Sequence, residues 1–327
     1  MTEVAAGVFW LRLPMPYALD HINLWLLADG DSWTVIDCGP ADAASRRHWE
    51  LICSRHLDGR PIQRIICTHN HPDHLGLAGW LSRRFSGELY LTRGEYENFQ
   101  ELLNDIASGD FSEAQHFYHA AGITGKRLDH FETEIRAYFS LIEPLPAAHH
   151  SLQDGDRLRI GAHDWQVLTG GGHSTEHLCL YCPELEIFIA GDQLLPVISS
   201  NVSVWPRKPK ANPLQEWISA CRRLRRILNH RTLVLPAHGR PFRGAVNRLE
   251  TLLYETESRL DNLLAGCRQR RRLVDLFPVL FTTAIEKDNL LMACGEARAG
   301  CNYLLAQARL TADTDESGVL WYQTTGA

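Results

Sequence analysis

The stretch that most narrows what this chain can fold into is Thr68-His69-Asn70-His71-Pro72-Asp73-His74-Leu75-Gly76. It sets three imidazoles and a carboxylate directly after the apolar run Ile65-Ile66-Cys67, which reads as a short buried strand. Alternation along an extended end sends His69 and His71 the same way. Pro72 then stops the strand, so that Asp73 and His74 approach the same space from the first turn of a helix. Nitrogen and oxygen donors of this kind satisfy a first-row divalent ion such as zinc, and the segment is rich enough to serve two neighbouring ions. The alternative is a polar loop that is histidine-rich by chance.

A His-x-His-x-Asp-His run after a strand resembles the defining motif of the metallo-β-lactamase fold hydrolases. That resemblance implies further ligands at later strand ends, and each is present. His173 follows the run 165–168 and three glycines, Asp192 follows 187–190, and His238 follows 233–235. Carried over residue by residue, the resemblance implies one ion on His69, His71 and His173, a second on Asp73, His74 and His238, and Asp192 bridging them. No ligand position is substituted over about residues 7–243.

The strand pattern fits the same fold. Residues 8–13, 22–28 and 32–38 read as antiparallel strands, the last two joined by a tight turn at Asp29-Gly30-Asp31. A helix over 42–56 leads back to the metal strand, and further helices are expected over 75–85, 213–229 and 246–268. Strands are expected at 88–91, 157–160, 164–168, 178–181, 187–190 and 232–235. Two sheets covered by helices make an α+β, four-layer αββα sandwich. Residues 1–243 are the expected catalytic domain, with 93–145 as a helical insertion or lid whose helices span 95–106, 112–121 and 130–142. Residues 244–327 are the expected C-terminal domain, mainly helical and winged-helix-like, with helices at 273–276 and 290–307 and a hairpin near Val319-Leu320-Trp321-Tyr322.

Several residues carry two readings. Asp37 ends the third strand, where the family has a carboxylate that supports the metal loop; it could equally be a turn residue before Gly39. His177 is either a support for the ligands or core packing. His116 and His119 share a helical face, although a surface or lid role accounts for them, and His149 and His150 read as solvated. Cys179 and Cys182 form a Cys-x-x-Cys, but on a strand they face opposite ways. The segment 194–206 is long and apolar enough to line a pocket. Arg207, Lys208 and Lys210 behind it suit either an anionic substrate group or a solvated turn. Arg268, Arg270, Arg271 and Arg272 suit either a solvated helix end or nucleic acid.

A net charge of −6 argues against nucleic-acid binding, which usually demands a basic face. The nine cysteines have no regular spacing and suit reduced thiols. No basic-then-apolar leader is visible at the N-terminus, and no apolar run approaches the ~18 residues that span a bilayer. The expectation is a cytoplasmic protein with a small-molecule substrate, no membrane contact, and a homo-oligomeric state left open.

A zinc pair lowers the pKa of a shared water from about 15.7 toward ~7, and the hydroxide so formed is the expected nucleophile. Asp73 or Asp192 is placed to hold or receive the proton. The same donors also accept iron or manganese. The resemblance points to the branch of hydroxyacylglutathione hydrolases and acyl-CoA thioesterases, so a thioester is the first substrate class. Lactones or other esters follow, needing a proton donor for which Tyr96 or Tyr118 of the insertion could serve. From another class, the chain could be a metal-binding regulator with little turnover.

Overall fold

The structure is a computed structural model that describes residues 1–16, 19–124, 131–285 and 289–326. Strands β1 (Thr2–Ala5), β2 (Val8–Pro14), β3 (His21–Asp29) and β4 (Ser32–Ile36) run antiparallel. Helix α1 (Ala43–His56) is capped by Asp42, whose carboxylate accepts the Ser45 N–H at 2.7 Å, and it returns the chain to β5 (Ile62–Ile66). Strand β5 lies parallel to β4, and after α2 (Pro72–Leu75) and α3 (Ala78–Phe85) the parallel half is completed by β6 (Glu88–Thr92) and β7 (His150–Leu152). Between β6 and β7 lie the insertion helices α4 (Arg93–Ser108), α5 (Ser112–Ala120) and α6 (Phe131–Phe139). The expected start of that last helix at His130 lies outside the described residues.

The second sheet holds β8 (Arg157–Ile160), β9 (His163–Gly170), β10 (His177–Cys182), β11 (Ile187–Gly191) and, after α7 (Pro213–Ile227), β12 (Leu233–Pro236). Its spatial order is β12-β11-β10-β9-β8, with only β11 and β12 parallel. Alternation along each strand decides what faces what. Trp25 and Leu27 of β3 point inward to meet Trp165, Val167, Leu178 and Leu180, forming the core between the sheets. Leu24 and Leu26 point outward to Trp49 of α1 and Leu81 of α3. Cys182 faces the inter-sheet core while Cys179 faces the opposite layer under α7, so the Cys-x-x-Cys is split across the sheet as its spacing requires. These are the four layers, each full burial of a large apolar side chain contributing ~1.5–3 kcal/mol.

Three elements differ from the sequence-based reading. Strand β1 is an added edge strand. The helix expected over 75–85 is broken: at the break the Leu77 N–H donates to Gly39 O at 3.0 Å, and the Glu143 N–H donates to Gly76 O at 2.9 Å. The C-terminal part holds α8 (Ala245–Gly266), α9 (Phe277–Leu280) and α10 (Leu290–Ala306), but also a three-stranded sheet. Strand β13 (Arg271–Arg272) joins the edge of the expected hairpin, β14 (Leu310–Thr314) and β15 (Leu320–Thr324). That part packs on the same apolar cluster as α7: Leu260, Leu263, Cys294 and Leu304 are buried with Trp217 and Leu224. No helix among the described residues is long and apolar enough to cross a membrane.

Candidate metal centre

The parallel end of the first sheet and the matching end of the second meet where the Leu178 N–H donates to Thr68 O at 2.7 Å. From that junction His69 and His71 reach toward His173. His69 Nε2 lies 2.8 Å from His71 Nδ1 and 3.2 Å from His173 Nε2. Nitrogens placed tetrahedrally about a zinc ion at 2.0–2.1 Å stand roughly 3.3 Å apart, so this triplet has the spacing of a ligand set. Gly172 makes the approach of His173 possible. Its φ is +103°, and a Cβ there would stand 2.6 Å from both Pro213 O and Trp217 Cβ of α7.

A second group adjoins the first. Pro72 opens α2, where its missing N–H costs nothing, and brings Asp73 and His74 round in one turn. Asp73 Oδ2 lies 3.6 Å from His74 Nε2 and 3.4 Å from His238 Nε2. Asp192 stands between the groups: Oδ2 is 3.4 Å from His173 Nε2 and 3.7 Å from His74 Nε2, and Oδ1 is 3.5 Å from His238 Nε2. All seven residues implied by the resemblance therefore converge, in the overlapping sets His69-His71-His173, His69-His74-Asp192 and Asp73-His74-His238. His74 Nε2, Asp192 Oδ1 and His238 Nε2 are buried without a hydrogen-bond partner. Such orphaned atoms are costly unless something else satisfies them, and a divalent cation fits that donor set.

The other ring nitrogens are held from outside. His74 Nδ1–H donates to Asp37 Oδ2 at 2.8 Å, His173 Nδ1–H to Asn201 O at 2.8 Å and His238 Nδ1–H to His21 O at 2.8 Å. These bonds fix the tautomer that aims each Nε2 lone pair inward. Asp37 also accepts from the Thr68 N–H at 2.8 Å and from its hydroxyl at 2.9 Å. It is a turn residue as well, at φ +61°, so both of its readings hold together. His177 serves the Asp192 turn: its Nε2 accepts the Asp192 N–H at 3.1 Å.

Three contributors had no mark in the sequence. His21 Nε2 accepts the Gly239 N–H at 2.9 Å, and Asn23 Nδ2 donates to Pro236 O and Gly239 O, clasping the turn that carries His238. Glu95 is fully buried at the start of α4, between the 69–71 and 173–176 segments. None of the three lies in a motif. Only their contacts across the fold give them a role.

Electrostatics divide the cluster. Burial, then the neighbouring imidazoles, pushes His69 well below the ordinary histidine range; burial and His173 bring His71 down to about 3. Burial pulls His74 and His238 the same way, but carboxylates outweigh it: Asp37, Asp73 and Asp192 raise His74, and Asp192 and Asp73 raise His238. Those imidazoles in turn hold Asp73 and Asp192 below the usual carboxylate range against the effect of burial. His69 and His71 are thus held neutral, while His74 and His238 are drawn toward the protonated form beside the anionic Asp73 and Asp192, where positive charge is favoured.

Other sequence candidates lie elsewhere. Arg207 is half-buried and committed to protein partners: it is clamped to Asp105 and to Glu101 Oε2, the latter at 3.1 Å, tying the segment after β11 to α4. The segment 194–206 holds ligands as much as it lines a space, since the Ser200 hydroxyl donates to Asp192 O. His116 bonds Ser112 O within its own helix, and His119 Nε2–H donates to Ser317 O at 2.7 Å, linking the insertion to the C-terminal hairpin. His149 and His150 are not simply solvated but stack on Tyr96 and Tyr90. Arg270 and Arg272 pair with Asp313 and Asp275 and lie over Trp321. Of the tyrosines, Tyr118 is buried in the apolar cluster and Tyr96 is stacked on His149. The one that the insertion presents to the metal cluster is Tyr138, whose ring centroid lies 6.3 Å from that of His71. Burial, and then the charges of Asp73 and Asp192, push its hydroxyl well above the ordinary tyrosine value, although 41% of the residue is exposed.

Comparison with known proteins gives the family. The sequence model of the metallo-beta-lactamase superfamily matches residues 18–238, and that of the metallo-beta-lactamase-like C-terminal domain matches residues 260–325. The chain belongs to the metallo-β-lactamase superfamily and is a hydrolase of that superfamily. A crystal structure of a beta-lactamase domain protein from Burkholderia ambifaria is 37% identical, with a TM-score of 0.91 over 99% of this chain and 94% of that one. The probable metallo-hydrolase YqjP of Bacillus subtilis is 27% identical over 93% of this chain and 94% of its own length. The acyl-coenzyme A thioesterase MBLAC2 of Gallus gallus is 24% identical, covering 72% of this chain and 78% of its own.

Proposed function

We propose that the chain holds two divalent ions and hydrolyses an activated carbonyl, with a thioester of the acyl-CoA or acyl-glutathione type as substrate. The observation that carries the reading is the convergence of His74 Nε2, Asp192 Oδ1 and His238 Nε2, all buried without a protein partner, beside the His69-His71-His173 triplet. In this reading His69, His71 and His173 hold one ion, Asp73, His74 and His238 the other, and Asp192 faces both. Zinc suits the mixed imidazole and carboxylate set; iron and manganese use the same donors. Bound there, such a pair supplies a nucleophile from water at neutral pH and a Lewis acid for the carbonyl.

The protein supplies the rest. Asp37, Asn201 and His21 keep the ring nitrogens aimed, while Asp73 or Asp192, carboxylates at neutral pH, are placed to hold a proton. The nearby thiols are not competing nucleophiles, because burial pushes Cys67 and Cys179 well above the ordinary cysteine value. A thiolate leaves without an acid, which suits a site whose Asp73 and Asp192 are both held in the carboxylate form. The name of the Gallus gallus relative supports the same class. Tyr138 favours a second reading, an ester or lactone, since its ring stands beside His71 and a tyrosine hydroxyl is protonated at neutral pH.

A panel of acyl-CoA, acyl-glutathione, lactone and phosphodiester substrates tests this, run on protein whose metal content is measured in parallel. Thiol release by wild type, and its loss in H71A, supports the thioesterase. Turnover of lactones alone supports the second reading. Two bound ions with no turnover of any of them leaves the protein as a metal-binding regulator.

A further inference from the structure

We infer that Glu95 is a positioning residue for the metal centre, its carboxylate setting the spacing between segments 69–71 and 173–176. The inference rests on the two-ion reading above. Glu95 is fully buried in the first turn of α4. Its Oε2 accepts the N–H of Asn70 at 3.0 Å, and its Oε1 accepts the N–H of Glu176 at 2.7 Å. Asn70 lies between His69 and His71, and Glu176 follows His173 in the same turn. One rigid three-atom group thus joins two segments, remote in sequence, whose histidines have to meet on a single ion.

The stitching is doubled. Asn70 Nδ2 donates to Glu95 O at 3.3 Å, and the Gly94 N–H donates to Glu176 Oε2 at 2.9 Å. Among the described residues Glu95 has no ion-pair partner; burial raises its carboxyl, and the Glu176 and Asn70 N–H groups and His173 act against that rise. Burying an unpaired carboxylate is unfavourable, and a neutral side chain would pack there at lower cost. What a carboxylate alone offers is two acceptor oxygens at fixed separation with no hydrogen between them. The same helix takes Arg207 from the segment after β11 on Glu101 and Asp105, so α4 gathers three segments that border the site.

Two variants separate this role from packing. E95Q keeps the volume but turns an amide N–H₂ against a backbone N–H; E95D keeps the charge but is one methylene short of spanning both segments. Metal-free protein is titrated with zinc, and with cobalt(II) for its absorption bands, against a chelating dye. Circular dichroism of the metal-free form monitors the fold. Affinity for one of the two ions is expected to fall about 10–100-fold in both variants, with altered cobalt bands, while the other ion stays. E97Q, on the exposed face of the same helix, should bind both ions as wild type does. Wild-type affinity and cobalt bands in folded E95Q or E95D overturn the inference and leave the two-ion reading standing. A wild-type protein that binds no ion overturns both. If E95Q does not fold, E95D decides.

Discussion

Asp37 and His74, 37 positions apart, meet where the His74 Nδ1–H donates to Asp37 Oδ2 at 2.8 Å. Asp37 hangs from the end of β4 and His74 from the first turn after β5, so a pair of parallel strands sets the aim of a candidate ligand. Asn in place of Asp37 tolerates the same φ of +61° but keeps only one acceptor oxygen. D37N should therefore fold and bind one of the two ions 10–100-fold more weakly. Chelator competition on wild type and D37N measures this, and equal affinities would contradict it.

Stripping the metals should loosen the fold as well as silence it. Ions that bind only the native state stabilise it by ~4 kcal/mol at a thousand times Kd, and the orphaned His74, Asp192 and His238 atoms lose their partner when the ions leave. A chelator-treated sample should melt roughly 5–10 °C lower, and zinc should restore it. An unchanged melting temperature after complete metal removal would count against the two-ion site.

Tyr138 stands over His71 on α6, and its hydroxyl feels Asp73 and Asp192. If the leaving group is a thiolate, Y138F should change kcat by less than about threefold, since no proton has to be given. If the substrate is an ester or lactone, kcat should drop about 10²-fold while KM moves little. Comparing the two substrate classes on this one variant separates the two readings.

The seven side chains that converge were legible because each sits just past a buried run, where alternation and a proline or glycine fix direction. His69 and His71 are the plainest case. The sheets followed from the same period of two, as the split of Cys179 and Cys182 illustrates. Glu95 and His21 were not legible, because each acts through backbone N–H groups brought near by the tertiary fold alone. Arg207 was misread for a related reason: an arginine in an exposed-looking loop cannot reveal that Glu101 and Asp105, a hundred positions earlier, will be folded against it. The insertion hid its useful tyrosine too, since neither composition nor helical period distinguishes Tyr138 from Tyr96 and Tyr118.

Asp154 should give the fold a measurable acid dependence. Burial raises its carboxyl, but the Thr169 N–H and the Arg223 guanidinium outweigh that and hold it below the usual value. A carboxyl lowered in the folded state stabilises above its unfolded pKa, near 3.9, and that contribution is lost as pH falls through the folded value. The Arg223 and Asp154 side chains are 36% and 43% exposed, so solvent screening keeps the pair to ~1 kcal/mol or less. D154N should melt close to wild type at pH 3 and slightly below it at pH 6. A gap that is as wide at pH 3 as at pH 6 would contradict the assignment.

Packing at the site is also tight at Gly191, which turns the chain from β11 to Asp192 at φ +50°. A Cβ there would stand 2.6 Å from His177 Cε1, 2.7 Å from its Nε2 and 3.0 Å from Thr68 Cβ. His177 has no room to retreat, since its ring stacks on His69 with centroids 4.8 Å apart, and its Nε2 must stay to accept the Asp192 N–H. G191A therefore combines an unfavourable left-handed conformation with overpacking, a loss of about 2–4 kcal/mol. The displaced Asp192 should cost metal affinity besides. In G191A/H177A the clash is gone but the acceptor is gone too, so stability should recover in part relative to G191A while metal affinity does not. Melting and chelator competition on the single and double variants test this. Recovery of metal binding along with stability would mean that His177 only fills space and does not hold the Asp192 turn.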